Sequence, residues 1–264
     1  MPRKVAKKSG RIAKRSGRSS TRIKEKTTQS DVLGALQDYS FVEGMKLVHA
    51  FGKLFGDEEL PLAGLIRSGN IKIPKETAIF NMSSATDCVS LAMGKCKACV
   101  FSKELGKMKT VCYALKAERG MYRDVLPFRR RQEELWLEIS AEEFSRQFLI
   151  MNSRKVHKYN KLRFNEAGDF HDQDGLEKAE KIARILLNFG IESYCYTSRD
   201  DLDYRKIKAL VVNGSGFMTN GLVNEFKMVP KGEKPPKGYA KCPQDCVICD
   251  RCSKRGKKTY VNQH

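Results

Sequence analysis

From residue 31 the apolar positions recur every three or four residues. Val32, Leu33, Leu36, Phe41, Met45, Leu47, Val48, Phe51 and Leu54 follow this spacing, which predicts amphipathic helices with Ser30 or Asp31 as the cap. "ETAIFNMSS", residues 76–84, reads as a short strand. "PFRRRQEELWLEISAEEFSRQFLIMN" opens on Pro127 and predicts one long helix or two shorter ones. Further on the period alternates. "KLRFNEAGDF" is a strand running into a glycine loop. "DGLEKAEKIARILLNFG" is a helix with Leu176, Ala179, Ile182, Ala183 and Leu186 on one face and Gly190 as its stop. "IESYCYTS" and "ALVVNGSG" read as strands, with a helical turn or two in "LDYRKIKAL" between them. Strand–helix–strand alternation at this spacing predicts an α/β fold, either a parallel sheet with crossover helices or a partial β/α barrel.

Charge divides the chain. The net charge of its 264 residues is +19, but residues 1–26 hold eleven Lys/Arg against one Glu, and residues 227–264 hold ten against three acids. The 200 residues between carry almost none of the excess. Residues 1–28 have too few apolar side chains to bury and read as a disordered basic arm. An α/β core with the first cysteines is expected over 29–228, and a basic, cysteine-rich segment over 229–264. No apolar run reaches the ~18 residues of a membrane span. The N-terminus lacks a secretory apolar region, so a cytoplasmic protein with reduced thiols and no membrane partner is expected. Basic ends suit a polyanion, because each neutralised phosphate releases counterions.

The nine cysteines then sharpen the picture. Cys88, Cys96, Cys99 and Cys112 form one set; Cys242, Cys246, Cys249 and Cys252 form another; Cys195 stands alone in an apolar strand and reads as a small core residue. Disulfides between neighbours as close as those of the second set would be strained. Each set has the number of thiols that closes a metal site. The overlapping arms C-x3-C-x2-C-x2-C of the second set favour the loops that wrap an iron–sulfur cluster, [4Fe–4S] above all, with zinc as the alternative.

Four pieces in order, "ETAIFNMSSATDC" through "CYALK", "RFNEAGDF", "YCYTSRD" and the terminal cysteine group, resemble the phage and plasmid family called gene product 88, whose biochemical function is unsettled. The Cys-Tyr-Ala segment and the strand–helix alternation also resemble phage proteins related to radical SAM enzymes. That resemblance implies a partial β/α barrel. It departs from the usual compact C-x3-C-x2-C near the first strand, for the upstream cysteines lie seven, two and twelve residues apart. "CPQDCVIC" has the spacing but lies after the barrel-like region, and Cys252 is available as a fourth ligand.

Other candidates carry weaker signals. Glu166, Asp169, His171, Thr197 and Arg199 fall at predicted strand ends, where ligand sites of parallel sheets lie. Capping of the next helix by Asp172 or Asp174 and an ion pair between Arg199 and Asp169 are the structural alternatives. Arg119, Arg123, Arg129, Arg130 and Arg131 interleave with Tyr122 in a pattern suited to unpaired bases and their backbone. Lys254, Arg255, Lys257 and Lys258 follow the last cysteine. The sequence therefore favours a nucleic-acid-binding protein with metal-held scaffolds. The expected ligand is single-stranded DNA, the expected role phage transcription or replication, and a phage RNA polymerase or replication protein a candidate partner. An iron–sulfur enzyme of radical SAM type acting on nucleic acid or protein is the alternative, and a DNA-contacting virion component a third reading.

Overall fold

The computed structural model describes residues 59–102, 106–120, 122–219, 221–230 and 232–262. The predicted arm and the helices expected over 31–54 lie outside the described residues. The strands are β1 (Arg67–Asn70), β2 (Ile73–Phe80), β3 (Cys99–Ser102), β4 (Lys107–Thr110), β5 (Lys161–Phe164), β6 (Glu192–Thr197), β7 (Val211–Ser215), β8 (Asn224–Val229), β9 (Ala240–Lys241) and β10 (Lys258–Asn262). The helices are α1 (Val89–Ala92), α2 (Tyr113–Arg119), α3 (Val125–Glu138), α4 (Ala141–Arg154) and α5 (Gln173–Leu187).

Eight strands form one sheet in the order β1-β2-β5-β6-β7-β8-β10-β9; β3 and β4 make a separate hairpin. Every pairing in the large sheet is parallel except β1 on β2. From β2 to β10 the parallel strands lie side by side in chain order. With crossovers of one hand, such an order stacks the helices on a single face. The core agrees: Phe80, Leu162, Phe164, Cys195 and Val212 pack into one cluster with Trp136 of α3, Phe144 and Phe148 of α4 and the predicted apolar face of α5. Phe80 meets Phe144 edge-on at 5.1 Å between ring centroids. The sheet stays open and does not close into a barrel. The α/β expectation is thus met by a mostly parallel sheet.

The stretch from Pro127 becomes two helices because Ser140 interrupts it. Ser140 is extended and its side chain accepts a hydrogen bond from the Glu143 amide, starting α4 anew. The segment 202–210 forms no helix, contrary to its pattern. The buried Glu180 carboxylate of α5 accepts hydrogen bonds from the amides of Lys208, Ala209 and Leu210 at 2.8–3.0 Å, and those amides are therefore not available to a helical ladder. Among the described residues no helix is long and apolar enough to cross a membrane.

Because side chains alternate across a strand, the residues between the core positions face away from the helices. Thr77, Lys161, Arg163, Tyr194, Tyr196 and Asn213 are of this kind. They make the floor on which the second cysteine loop rests.

Candidate functional sites at two cysteine sets

The chain leaves β2 through Asn81 and Ser83, both buried, and meets the Gly168-Asp169 turn that follows β5. Gly168 has φ of 71°, and a Cβ there would lie 2.1 Å from Ser83 Oγ. Only glycine permits this approach. It lets Ser83 Oγ accept from the Asp169 amide at 3.1 Å. Asp169 is 3% exposed and its carboxylate gathers donors from three segments. Ser90 Oγ donates at 2.6 Å, the Ser198 amide at 2.7 Å and the Phe170 amide at 2.9 Å; the Thr197 side chain also hydrogen-bonds it. Burial still pushes the Asp169 pKa up from its ordinary value.

Two thiols of the first set, Cys88 and Cys96, feel the charge of this carboxylate. Cys88 is the N-cap of α1 and Cys112 the N-cap of α2. Burial pushes the Cys88 thiol up to about 11, with Asp169 and Cys96 adding to the rise. The Cys96 thiol is raised by burial first and then by Cys112, against a hydrogen bond with Ser198. Cys99 opens β3, and its Sγ lies 3.6 Å from Thr110 Oγ1 across the hairpin. A buried ion pair fixes the loop: Glu118 of α2 accepts from the amides of Ala85 and Thr86 and binds Arg129 NH1 at 2.9 Å.

The second set lies on the opposite face of the sheet from the helices. Its loop is pinned along its length: the Cys242 amide donates to Tyr260 O at 2.7 Å and the Cys246 amide to Lys72 O at 2.8 Å. Asn213 Nδ2 donates to Cys252 O at 2.9 Å. Cys246, Cys249 and Cys252 line one cavity with Thr77, Lys161 and Tyr194. Burial pushes the Cys252 thiol up to about 11; Cys242, Cys246 and Cys249 push the same way, and a hydrogen bond with Tyr196 opposes them. Cys242 stands outside that cavity lining but still adds to the rise of the Cys252 thiol. Among the described residues no three His, Cys, Asp or Glu side chains are drawn up around the position of a single metal ion. The donor chemistry, sulfur alone in a closed loop, fits a thiolate-held metal or cluster.

Three of the six arginines expected at a nucleic-acid surface, Arg129, Arg130 and Arg255, are engaged within the protein. Arg129 is buried on Glu118 and Ala114 O, which removes it from that surface. Arg130 makes two hydrogen bonds to Asp87, at 2.8 and 3.1 Å. Arg131 lies 6.0 Å from the Phe128 ring. Arg119, Tyr122 and Arg123 are exposed. Lys254 pairs with Glu192 at 2.6 Å, and Arg255 donates to the carbonyls of Leu210, Ile207 and Leu222. The Lys257 amide donates to Asn224 Oδ1, and Lys258 Nζ lies 5.8 Å from the Tyr239 ring.

The predicted pocket also divides. Asp169 and Thr197 join the first cysteine set. His171 Nε2 instead meets Glu133 at 2.8 Å, and Glu166 accepts from Asn70 at 3.0 Å. Arg199 does not pair with Asp169 as the sequence suggested; it grips Asp201 with two hydrogen bonds and donates to the Phe170 and His171 carbonyls. Asp201 is only two residues away, so its carboxylate reaches the guanidinium without a change of strand. Asp172 caps α5 through the Gly175 amide.

A family model described as gene product 88 matches residues 58–216. The chain belongs to the gene product 88 family. The matched segment holds the first cysteine set, Gly168-Asp169-Phe170 and the Tyr196-Thr197-Ser198 turn. It ends before the second cysteine set, short of the range over which the sequence resembled gene product 88. No curated protein and no solved structure matches the chain. Within this gene product 88 segment, sequence reasoning passed over Ser90, Glu118 and Arg163. Ser90 and Glu118 have no local motif; Arg163 was legible only as a polar position in a strand.

Proposed function

We propose that the protein is an iron–sulfur enzyme. Its reactive centre would be held by Cys88, Cys96 and Cys112 beside Asp169, its second centre by Cys242, Cys246, Cys249 and Cys252, and its substrate would be nucleic acid. The observation that supports this reading is a buried, fully hydrogen-bonded aspartate at the carboxyl ends of β2, β5 and β6, tied by Ser90 to the helix that Cys88 caps. Ligand sites of parallel α/β sheets lie at that edge. Three thiols leave a coordination position for a reactant, as three-ligand zinc sites do. Cys99, turned to Thr110, is the thiol to which this reading assigns no iron.

The order of parallel strands from β2 to β10 is in keeping with the partial β/α barrel that the resemblance to radical SAM proteins implies, and on that resemblance we rank the enzyme reading above the simple binder. Cys88, Cys96 and Cys112 would hold the cluster, which when bound and reduced would supply one electron to S-adenosylmethionine. The chain's own residues would orient that site: Asp169 ties α1 to the turn after β6, and Ser198 holds Cys96. The binder reading keeps one observation in its favour, the positive charge concentrated at both ends of the chain, which also suits delivery of a nucleic-acid substrate.

The test is cleavage of S-adenosylmethionine to 5′-deoxyadenosine by anaerobically prepared, reduced protein. Cleavage is expected, lost in Cys88→Ser and Cys96→Ser, and retained in Cys99→Ser. Cluster-loaded protein that binds single-stranded DNA in a salt-dependent way but cleaves nothing would reverse the ranking in favour of the binder.

A further inference from the structure

The β3–β4 hairpin stands apart from the large sheet. Its register pairs Cys99 with Thr110 and Phe101 with Met108. Side chains alternate across a strand, so these four share one face of the ribbon. Phe101 is 62% exposed and Met108 60%, an apolar cross-strand pair left facing solvent. A third apolar surface stands close by in the chain. Tyr113 opens α2 and is 59% exposed, yet its hydroxyl donates to Glu166 O. The ring is thus anchored at its tip while most of the residue meets water.

Charge gathers on the same segment. Residues 95–123 hold eight Lys/Arg against two acids, although the 200 residues between the basic ends carry almost no net charge. One of the two acids, Glu118, is buried on Arg129, and Lys95 is spent on Asp200. Lys97, Lys107, Lys109, Lys116, Arg119 and Arg123 are all exposed. On β4 the lysines alternate with Met108, so cationic heads border the apolar pair.

We propose that the ribbon and the start of α2 form a landing surface for single-stranded nucleic acid. Phe101 and Tyr113 stack unpaired bases, and Lys97, Lys107 and Arg119 hold the phosphates. The proposal rests on the nucleic-acid substrate of the reading above and on no metal. Exposed rings among cations are what an unpaired strand needs, because each base offers an apolar face and each linkage a negative charge. A duplex keeps its base faces stacked inward and leaves the rings idle. The ribbon also has the right place. The Cys96 amide at its root donates to Ser90 O at 3.0 Å, and Ser90 Oγ donates to the Asp169 carboxylate. Phe101 lies two residues beyond Cys99, about 7 Å along the strand. A strand stacked there is led toward the edge of the sheet that carries Asp169.

The experiment is fluorescence anisotropy of the full chain with a labelled single-stranded oligothymidylate. Phe101→Ala should weaken binding about tenfold at unchanged salt slope, as the loss of one stacked base does. Phe101→Trp should keep the affinity and report stacking as quenched indole fluorescence above the background of Trp136. The Lys97→Gln/Lys107→Gln variant should lower the log–log salt slope by about 1.4, two phosphates at about 0.7 each. Duplex DNA should be bound without regard to Phe101. Oligonucleotide affinity indifferent to Phe101→Ala and to the lysine pair would overturn the ribbon and leave nucleic-acid binding to the basic ends. Failure to bind any oligonucleotide, DNA or RNA, would overturn the ribbon together with the nucleic-acid reading. Anionic phosphatidylglycerol vesicles captured through Phe101, with oligonucleotide affinity untouched by Phe101→Ala, would overturn it in favour of a lipid contact.

Discussion

Gly168 shows how one residue controls the first site. Its left-handed backbone and its approach to Ser83 leave no room for a side chain, and Asp169 is aimed by what Gly168 permits. Gly168→Ala should cost about 2–5 kcal/mol, the sum of backbone strain and overpacking, read as a lower urea midpoint at unchanged slope. The Gly-Asp-Phe motif was visible in the sequence, but Asp169's partners were not. Ser90 and Ser198 lie 79 and 29 residues away, and no local pattern encodes such pairings. The same limit explains the arginines. A run of cationic side chains looks uniform in sequence, whereas Arg129 spends its charge on a buried Glu118 and Arg131 keeps its own near solvent.

Among elements, α5 was the most legible, since its apolar stripe, its cap at Asp172 and its stop at Gly190 follow local rules. Its tertiary role came from a polar residue outside that stripe. Glu180 takes three successive amides of the chain entering β7 and thereby overrides the helical pattern of 202–210. Glu180→Ala should leave those amides buried without acceptors. A destabilisation of about 2–5 kcal/mol is expected from several lost charge-assisted bonds, with hydrogen exchange accelerated first at residues 208–210. Unchanged protection there would mean that water replaces the carboxylate. Strands β8, β9 and β10 escaped sequence reading for a different reason. They are short and carry lysines, and only β-pairing with existing strands makes them part of the sheet.

For the whole molecule, parallel strands placed in chain order separate two faces. One is filled by helices and apolar core; the other carries Arg163, Tyr194 and Tyr196 under the second cysteine loop. The class of fold could be read from alternating periods, because each period is local. Which face the cysteines of 242–252 would occupy could not, since Asn213, Tyr196 and Lys72 that receive them come from distant strands and turns. The central claim is that the two sets hold two iron–sulfur centres. Its most direct test is the iron and acid-labile sulfide content of anaerobically purified protein, measured beside the Cys246→Ser/Cys249→Ser variant. Two [4Fe–4S] centres predict about eight irons per chain, falling to about four in the variant. Stoichiometric zinc without sulfide, or loss of all metal from the variant, would contradict it.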